Sequence, residues 1–232
     1  TSSKRCIELL RVFAVLSTAQ ESNNFPNRIS IECNRGVHRG IGGLLFNFGG
    51  RKLNTYDAIK TRRSTRKFKS EQIDNEQLSK IIDPGRAAPC GGNSQSTHFI
   101  VIRNKKVLDD LANLARDAFA KMEVHEDTYK SLKMSILSSK KGSYVFHYNA
   151  PVLIVTANKI NYDNSMADCA CAIENMMLEA NDLDLGCCYI NQLNWLSDDE
   201  NIRAYMLKLG LAKDEKIFAS MVVGKADSKD GL

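Results

Sequence analysis

The sequence predicts a layered domain with helices packed on a central sheet, of the α/β or α+β kind. Two observations carry this. His98–Arg103, Pro151–Ala157 and Ile217–Val223 read as strands, the second a continuous apolar run that suits a buried one, and between them lie longer segments with apolar residues three and four apart, the helical period. A third sets the scale: 232 residues, 43% hydrophobic and 25% charged, suit one globular domain with an extension.

Charge separates the extension from the domain. Residues 1–52 carry eight Lys/Arg against three Asp/Glu, whereas residues 53–232 carry 24 of each. The net charge of +5 therefore belongs to the extension, and it supplies no argument for a nucleic-acid partner of the main domain. Cys6 to Leu16 is mostly apolar, but Glu8 and Arg11 interrupt it and it is too short to span a bilayer, so no membrane partner is expected. It also lacks the uninterrupted apolar centre of a signal peptide. Residues 36–50 are glycine-rich without a regular period. The expectation for 1–52 is a loosely ordered or peripheral segment.

From Asn54 a short helix carries Tyr56, Ala58 and Ile59 to a basic loop. Asp74-Asn75-Glu76-Gln77 has the form of a capping box, after which Leu78, Ile81 and Ile82 face a core. Pro84-Gly85 predicts a kink or break, and Pro89 a stop. After the strand at His98, the positions Val107, Leu108, Leu111, Leu114, Ala115 and Ala118 form a helical stripe. The segment from Glu123 to Tyr148 is expected to be helical first and polar afterwards, with His125 and His147 at the surface or satisfied.

Ser165 or Asp163 is expected to cap the next helix, which runs to about Asp184 with Met166, Ala170, Ile173, Met177 and Ala180 on one stripe. Its small residues Ala167, Ala170 and Ala172 allow close packing. Gly186 ends that helix and Cys187–Ile190 form a short strand. Asp198-Asp199-Glu200 places negative charge at a helix start, where the dipole favours it.

Seven cysteines raise the question of metal or disulfides, and their spacing argues against both. Cys169 and Cys171 point about 200° apart on a helix, and Cys187 and Cys188 face opposite sides of a strand. No C-x-x-C pair is present. Free thiols in a reducing, cytoplasmic compartment and no metal site are expected.

Two stretches carry the candidate chemistry. Arg62-Arg63-Ser64-Thr65-Arg66-Lys67-Phe68 is a compact basic loop leaving a helix end. Arginine forks match phosphate oxygens two at a time, and a turn this compact suits one phosphate better than a nucleic-acid backbone. Ala88-Pro89-Cys90-Gly91-Gly92-Asn93-Ser94-Gln95 joins a glycine turn, able to approach another body closely, to amide and hydroxyl groups able to read the edge of a heterocycle.

Together these stretches resemble the nitroreductase family of FMN-dependent oxidoreductases. The match is Arg62-Arg63-Ser64-x-Arg66-x-Phe68, about twenty residues of helix, then Ala88-Pro89-x-x-Gly92-Asn93-Ser94-Gln95. Asn149-Ala150-Pro151 with its apolar run, the helix holding Glu174-Asn175, and Leu185-Gly186-Cys187-Cys188-Tyr189-Ile190 agree in order and spacing. The resemblance covers roughly residues 53–226 and leaves a short tail, 227–232.

The resemblance implies a mixed, mainly antiparallel sheet with helices on both sides, built as an intertwined homodimer. It implies bound FMN, NADH or NADPH as co-substrate, and a small-molecule acceptor such as a nitroaromatic or quinone, reduced by a ping-pong hydride mechanism. The chemistry would sit at flavin N5, with no catalytic side chain needed. Arg62, Arg63 and Ser64 would hold the phosphate, and Arg66 would lie near the N1–O2 edge. Asn93 and Gln95 would read the flavin from the other subunit, with Pro89, Cys90 and Gly91 lining it. The backbone amides at Leu185 and Gly186 would face N5.

Three departures stand out. Ser96-Thr97 replaces a common proline and aromatic, and Cys90 replaces a common serine. The chain stops at Leu232 where the family usually continues with a basic segment, which leaves Lys225 or Lys229 as replacements at the phosphate. The same fold also serves narrower flavin enzymes, such as dehalogenases and dehydrogenases, and non-catalytic flavin-binding proteins.

Overall fold

A computed structural model of the protein describes residues 28–31 and 53–227. Five strands form one sheet: β1 (Arg28–Ile31), β2 (His98–Ile102), β3 (Val152–Lys159), β4 (Gly186–Ile190) and β5 (Glu215–Gly224), in the order β1-β2-β3-β5-β4. Every pairing of neighbouring strands is antiparallel. One parallel bridge, Ser64 to Cys187, extends the β4 edge. β1 was not legible as a strand in the extension, since four residues are too few to show alternation.

Seven α-helices complete the described chain: α1 (Thr55–Thr61), α2 (Asn75–Arg86), α3 (Lys105–Ala120), α4 (Lys130–Lys140), α5 (Ser165–Asp182), α6 (Gln192–Trp195) and α7 (Glu200–Lys208). None is long and apolar enough to cross a membrane. The sheet separates two cores. On one face Phe99, Val101, Val152, Ile154, Ala219, Met221 and Val223 meet Leu78, Ile81 and Ile82 of α2 and Cys169, Ala172, Ile173, Met176 and Ala180 of α5. On the other, Ile100, Ile102, Leu153, Val155 and Val222 meet α3, α4, α6 and α7. Strand alternation produces this directly, and it sends Cys187 to the first core and Cys188 to the second. The result is an α+β domain in three layers.

α5 carries the chain from one part of the sheet to another. It leaves β3 and enters β4, which lies two places away because β5 later fills the gap between them. The helix therefore crosses the sheet, and its inward stripe is Ser165, Asp168, Cys169, Ala172, Ile173, Met176, Met177 and Ala180. Met166, expected on that stripe, is 55% exposed. Two inward polar residues shift the stripe away from the purely apolar count. Neither Ser165 nor Asp163 caps the helix: Asn164 is the cap residue, and Ser165 Oγ donates to Lys159 O at 2.7 Å.

Other details differ from expectation for local reasons. The capping box of Asp74 and Gln77 closes as the sequence predicts. Pro84, however, lies inside α2, which runs two residues further to Arg86. A proline in the last turn removes only one hydrogen bond near an end that is about to fray. Asn175 Nδ2 of α5 donates to Pro84 O at 3.0 Å. Gly85 is needed for proximity, because a Cβ there would lie 2.7 Å from Met176 Cγ. Within 123–148 the order is the reverse of the prediction: a non-helical stretch comes first and α4 follows. α4 turns Ser135 and Ser139 inward, so it shows little apolar period. His125 is exposed, whereas His147 is buried with no hydrogen-bond partner at either ring nitrogen among the described residues.

Candidate functional site

The basic loop is sewn to the sheet by its backbone. Arg62 is the C-cap of α1, with its N–H donating to Ala58 O at 3.2 Å. Thr65 N then donates to Cys187 O at 2.9 Å, Lys69 N to Lys225 O at 2.9 Å and Asp227 N to Lys67 O at 3.0 Å. The loop thus runs along the start of β4 and on to the end of β5. With the main chain held, the side chains remain available. Arg63 and Arg66 are exposed, and Arg62 and Ser64 half-buried. Arg63 Nη1 donates to the carbonyls of Lys60 at 2.8 Å and Arg62 at 2.9 Å, completing the helix end, and Arg66 Nη1 donates to Ser64 O at 3.2 Å. Among the described residues none of these three guanidinium groups pairs with a carboxylate. Three guanidinium groups on one short loop concentrate positive charge there, which suits a phosphate-like anion.

Thr65, the unremarked position inside the motif, turns out to hold the loop in place. It is 3% exposed and rests on Gly186, where a Cβ would come within 2.7 Å of Thr65 Cγ2. Gly186 is therefore required for the loop to lie against β4. Its neighbour Leu185 donates its N–H to Ala180 O at 2.9 Å, closing the end of α5, while Asp184 takes a positive φ of 57°. The Leu185 amide is thus already engaged within the fold. The two thiols beside the loop are neutral: burial pushes Cys187 up to about 12 and raises Cys188, against the opposing pull of Arg62 and Arg66. They add no anion to compete for the arginines.

Lys225, a proposed replacement at the phosphate, is occupied: its Nζ lies 2.6 Å from Glu71 Oε1. Lys229 lies outside the described residues.

The glycine stretch is held in the opposite manner, by side chains gripping its backbone. α2 ends at Arg86, three residues before Pro89, which is exposed. Gly92, Asn93 and Gln95 all take positive φ, at 58°, 53° and 48°. This conformation costs Gln95 about 1–2 kcal/mol and Asn93 less, and contacts around the turn offset it. Gly91 N donates to Asp168 Oδ1 at 3.1 Å, and Tyr162 OH donates to Gly91 O at 2.8 Å. Ser94 Oγ donates to Tyr162 OH at 3.3 Å, and Gln95 N donates to Cys90 Sγ at 3.2 Å. Asn164 and Tyr162 approach so closely that a Cβ on Gly91 would lie 2.2 Å from Asn164 Nδ2. Asn93 is exposed and Gln95 half-buried.

The chain does not bring the two stretches together. The glycine stretch docks at the start of α5, through Asp168. The basic loop adjoins its end, where Asn181 Nδ2 donates to Ala58 O at 3.0 Å and Thr61 Oγ1 at 2.8 Å. Those anchors are separated by about 20 Å along the helix. They also flank different strands, β2 and β4, with β3 and β5 between. Arg62, Arg63, Ser64, Arg66, Leu185 and Gly186 form one group, and Pro89, Cys90, Gly91, Asn93 and Gln95 another.

Residues 59–225 match the model of the Nitroreductase family. A crystal structure of a Bacteroides fragilis nitroreductase with bound FMN is 34% identical, covers 75% of this chain and 89% of its own, and superposes with a TM-score of 0.67. A BluB-like flavoprotein from Clostridium difficile is 26% identical, covers 76% of this chain and 92% of its own, with a TM-score of 0.61. An Archaeoglobus fulgidus protein, provisionally named an NADH dehydrogenase/NAD(P)H nitroreductase, is 28% identical over 74% of this chain and 86% of its own length.

Proposed function

Since the chain belongs to the nitroreductase family of flavin oxidoreductases, we propose that it binds FMN and uses NADH or NADPH to reduce nitroaromatic or quinone-like acceptors. The observation that carries this is the set of three guanidinium groups, on a loop whose backbone is fixed and whose charges no carboxylate among the described residues neutralises. They fit a phosphate monoester. The bound FMN of the Bacteroides fragilis relative supports the same group here. When bound, FMN supplies hydride transfer in two half-reactions, with donor and acceptor visiting in turn.

The chain's own residues bind and orient. Arg62, Arg63 and Ser64 hold the phosphate, while Arg66 supplies positive charge that favours an anionic ring. Gly186 and Leu185 form a close-packed floor beside them. Asn93 and Gln95 read the polar edge of the ring, and Pro89, Cys90 and Gly91 line it.

We infer further that these two groups meet only between copies, as a homodimer. Within one chain they lie near opposite ends of α5. Exposed apolar side chains accompany each group: Tyr56 and Ile59 on α1 beside the basic loop, and Ile160 and Met166 near the glycine stretch. A two-fold arrangement that joins one patch to the other would complete two equal sites.

The test is a visible absorption spectrum of the purified protein, before and after anaerobic NADH or NADPH. Flavin bands that bleach agree with the proposal. Absence of bands, even after incubation with FMN, contradicts it. Acceptor-dependent oxidation of NAD(P)H then separates a broad reductase from a narrower flavin enzyme or a binding protein.

A further inference from the structure

We propose that Tyr162 and Asp168 are positioning residues for the flavin site, gripping the glycine stretch so that Asn93 and Gln95 keep the left-handed backbone in which they meet the ring. This rests on the flavin reading above. Tyr162 lies outside the segments that carry the family resemblance, Asp168 only begins the helical one, and the resemblance gives neither a role at the cofactor; neither is placed to touch a cofactor held by the basic loop of its own chain.

The argument is one of hydrogen bonds. Both polar backbone groups of Gly91 are held by these two side chains, the N–H by Asp168 Oδ1 at 3.1 Å and the carbonyl by Tyr162 OH at 2.8 Å. The Tyr162 oxygen also accepts from Ser94 Oγ, so one hydroxyl spans the turn from Gly91 to Ser94. Between those points lie Gly92 and Asn93, and Gln95 follows, all at positive φ. Asp168 is buried on the inward stripe of α5, and its second oxygen, Oδ2, has no partner among the described residues. A carboxylate with an unpaired oxygen is a poor core residue, because apolar packing would serve the helix better. Its retention there is explained by the Gly91 amide. Tyr162 and Asp168 lie just before and on the rigid α5, so the grip transmits the position of that helix to the turn.

The experiment uses Tyr162→Phe, which removes one oxygen, with Asp168→Ala and the conservative Asp168→Asn, which keeps an acceptor for Gly91 N–H. Two readouts are needed. Amide hydrogen exchange of the ligand-free protein should show residues 91–95 exchanging at least tenfold faster in Tyr162→Phe and Asp168→Ala. The amides of α5 should be unchanged, and Asp168→Asn should stay near wild type. Equilibrium dialysis against FMN, with visible circular dichroism of the bound flavin, should show about tenfold weaker binding and an altered ring signal in the same two variants. Unchanged exchange in Tyr162→Phe overturns the proposal, even if Asp168→Ala does not fold. Faster exchange with unchanged FMN affinity and ring signal overturns it too, leaving a merely structural contact. A wild-type protein that exchanges as described yet takes up no FMN would instead contradict the flavin reading, and the role in the site with it.

Discussion

The basic loop and the glycine stretch solve the same problem from opposite sides. In the first, the backbone is fixed to the sheet by Thr65, Lys69 and Asp227, and the arginine side chains are left to act. In the second, the side chains of Tyr162 and Asp168 fix the backbone, and the strained turn itself is what is presented. A loop that contributes charge needs freedom at its side-chain tips. A loop that contributes shape needs its main chain immobilised. The two should therefore fail differently when changed.

The largest effect is expected where the basic loop touches β4. Gly186→Ala drives a methyl into Thr65, whose backbone cannot retreat without losing its bond to Cys187. Overpacking of this kind costs about 1–3 kcal/mol, and here it also displaces the arginines. A lowered melting temperature together with loss of FMN retention is the expected outcome. Paired substitution with Thr65→Ser should recover part of both.

Arg63→Ala comes next. Its guanidinium lies at the surface, so folding should change little, while a charged hydrogen bond to phosphate is worth about 1.5–3 kcal/mol. FMN titration should show binding weakened by about tenfold to a hundredfold, with thermal stability nearly unchanged. If binding does not change, the phosphate is elsewhere.

A smaller effect is expected at Gly92, whose Cβ would meet nothing within 4 Å but whose φ is +58°. Gly92→Ala therefore isolates backbone strain from crowding and should cost about 1 kcal/mol, with Gly92→Asn costing less. Urea unfolding measures both.

The smallest effect is one of pH. Burial holds His147 below its ordinary value of 6.5. The unfolded chain takes up a proton near 6.5 and the folded chain resists it, so stability is full above that pH and falls as pH drops toward the folded value. His147→Phe should flatten this part of the curve in pH-dependent chemical unfolding. Glu215 acts at lower pH. Burial raises it, but the His98 hydrogen bond and the Ala212 amide outweigh burial and leave it below 4.5. Its contribution is present above about pH 4.5 and lost as pH falls through the lower folded value, a slope His147→Phe should leave intact.

Much of this was legible in the sequence, and the reasons for the remainder are specific. Helices α2 and α3 and strands β2, β3 and β5 declare themselves by period and length. The basic and glycine motifs declare their residue types. α4 did not, because serines turn inward where apolar residues would mark a period. Asp168 is a polar interruption in an apolar stripe, the one signal that could have singled it out. Thr65 and Tyr162 give no local signal, since their roles exist only once Gly186 and Gly91 are brought against them from distant parts of the chain. Nor could motif order reveal that the two loops lie near opposite ends of α5, by Asp168 and Asn181.

That separation supplies the most direct test. Arg63→Ala and Gln95→Ala proteins, each purified and each weak in FMN binding, would be mixed under conditions that exchange subunits, and bound FMN measured. In a two-fold assembly whose sites draw one loop from each copy, a mixed dimer holds one site with both changes and one with neither. Random exchange should then restore about a quarter of wild-type FMN binding. Mixtures that bind no more FMN than the average of their separate components would contradict a site shared between copies.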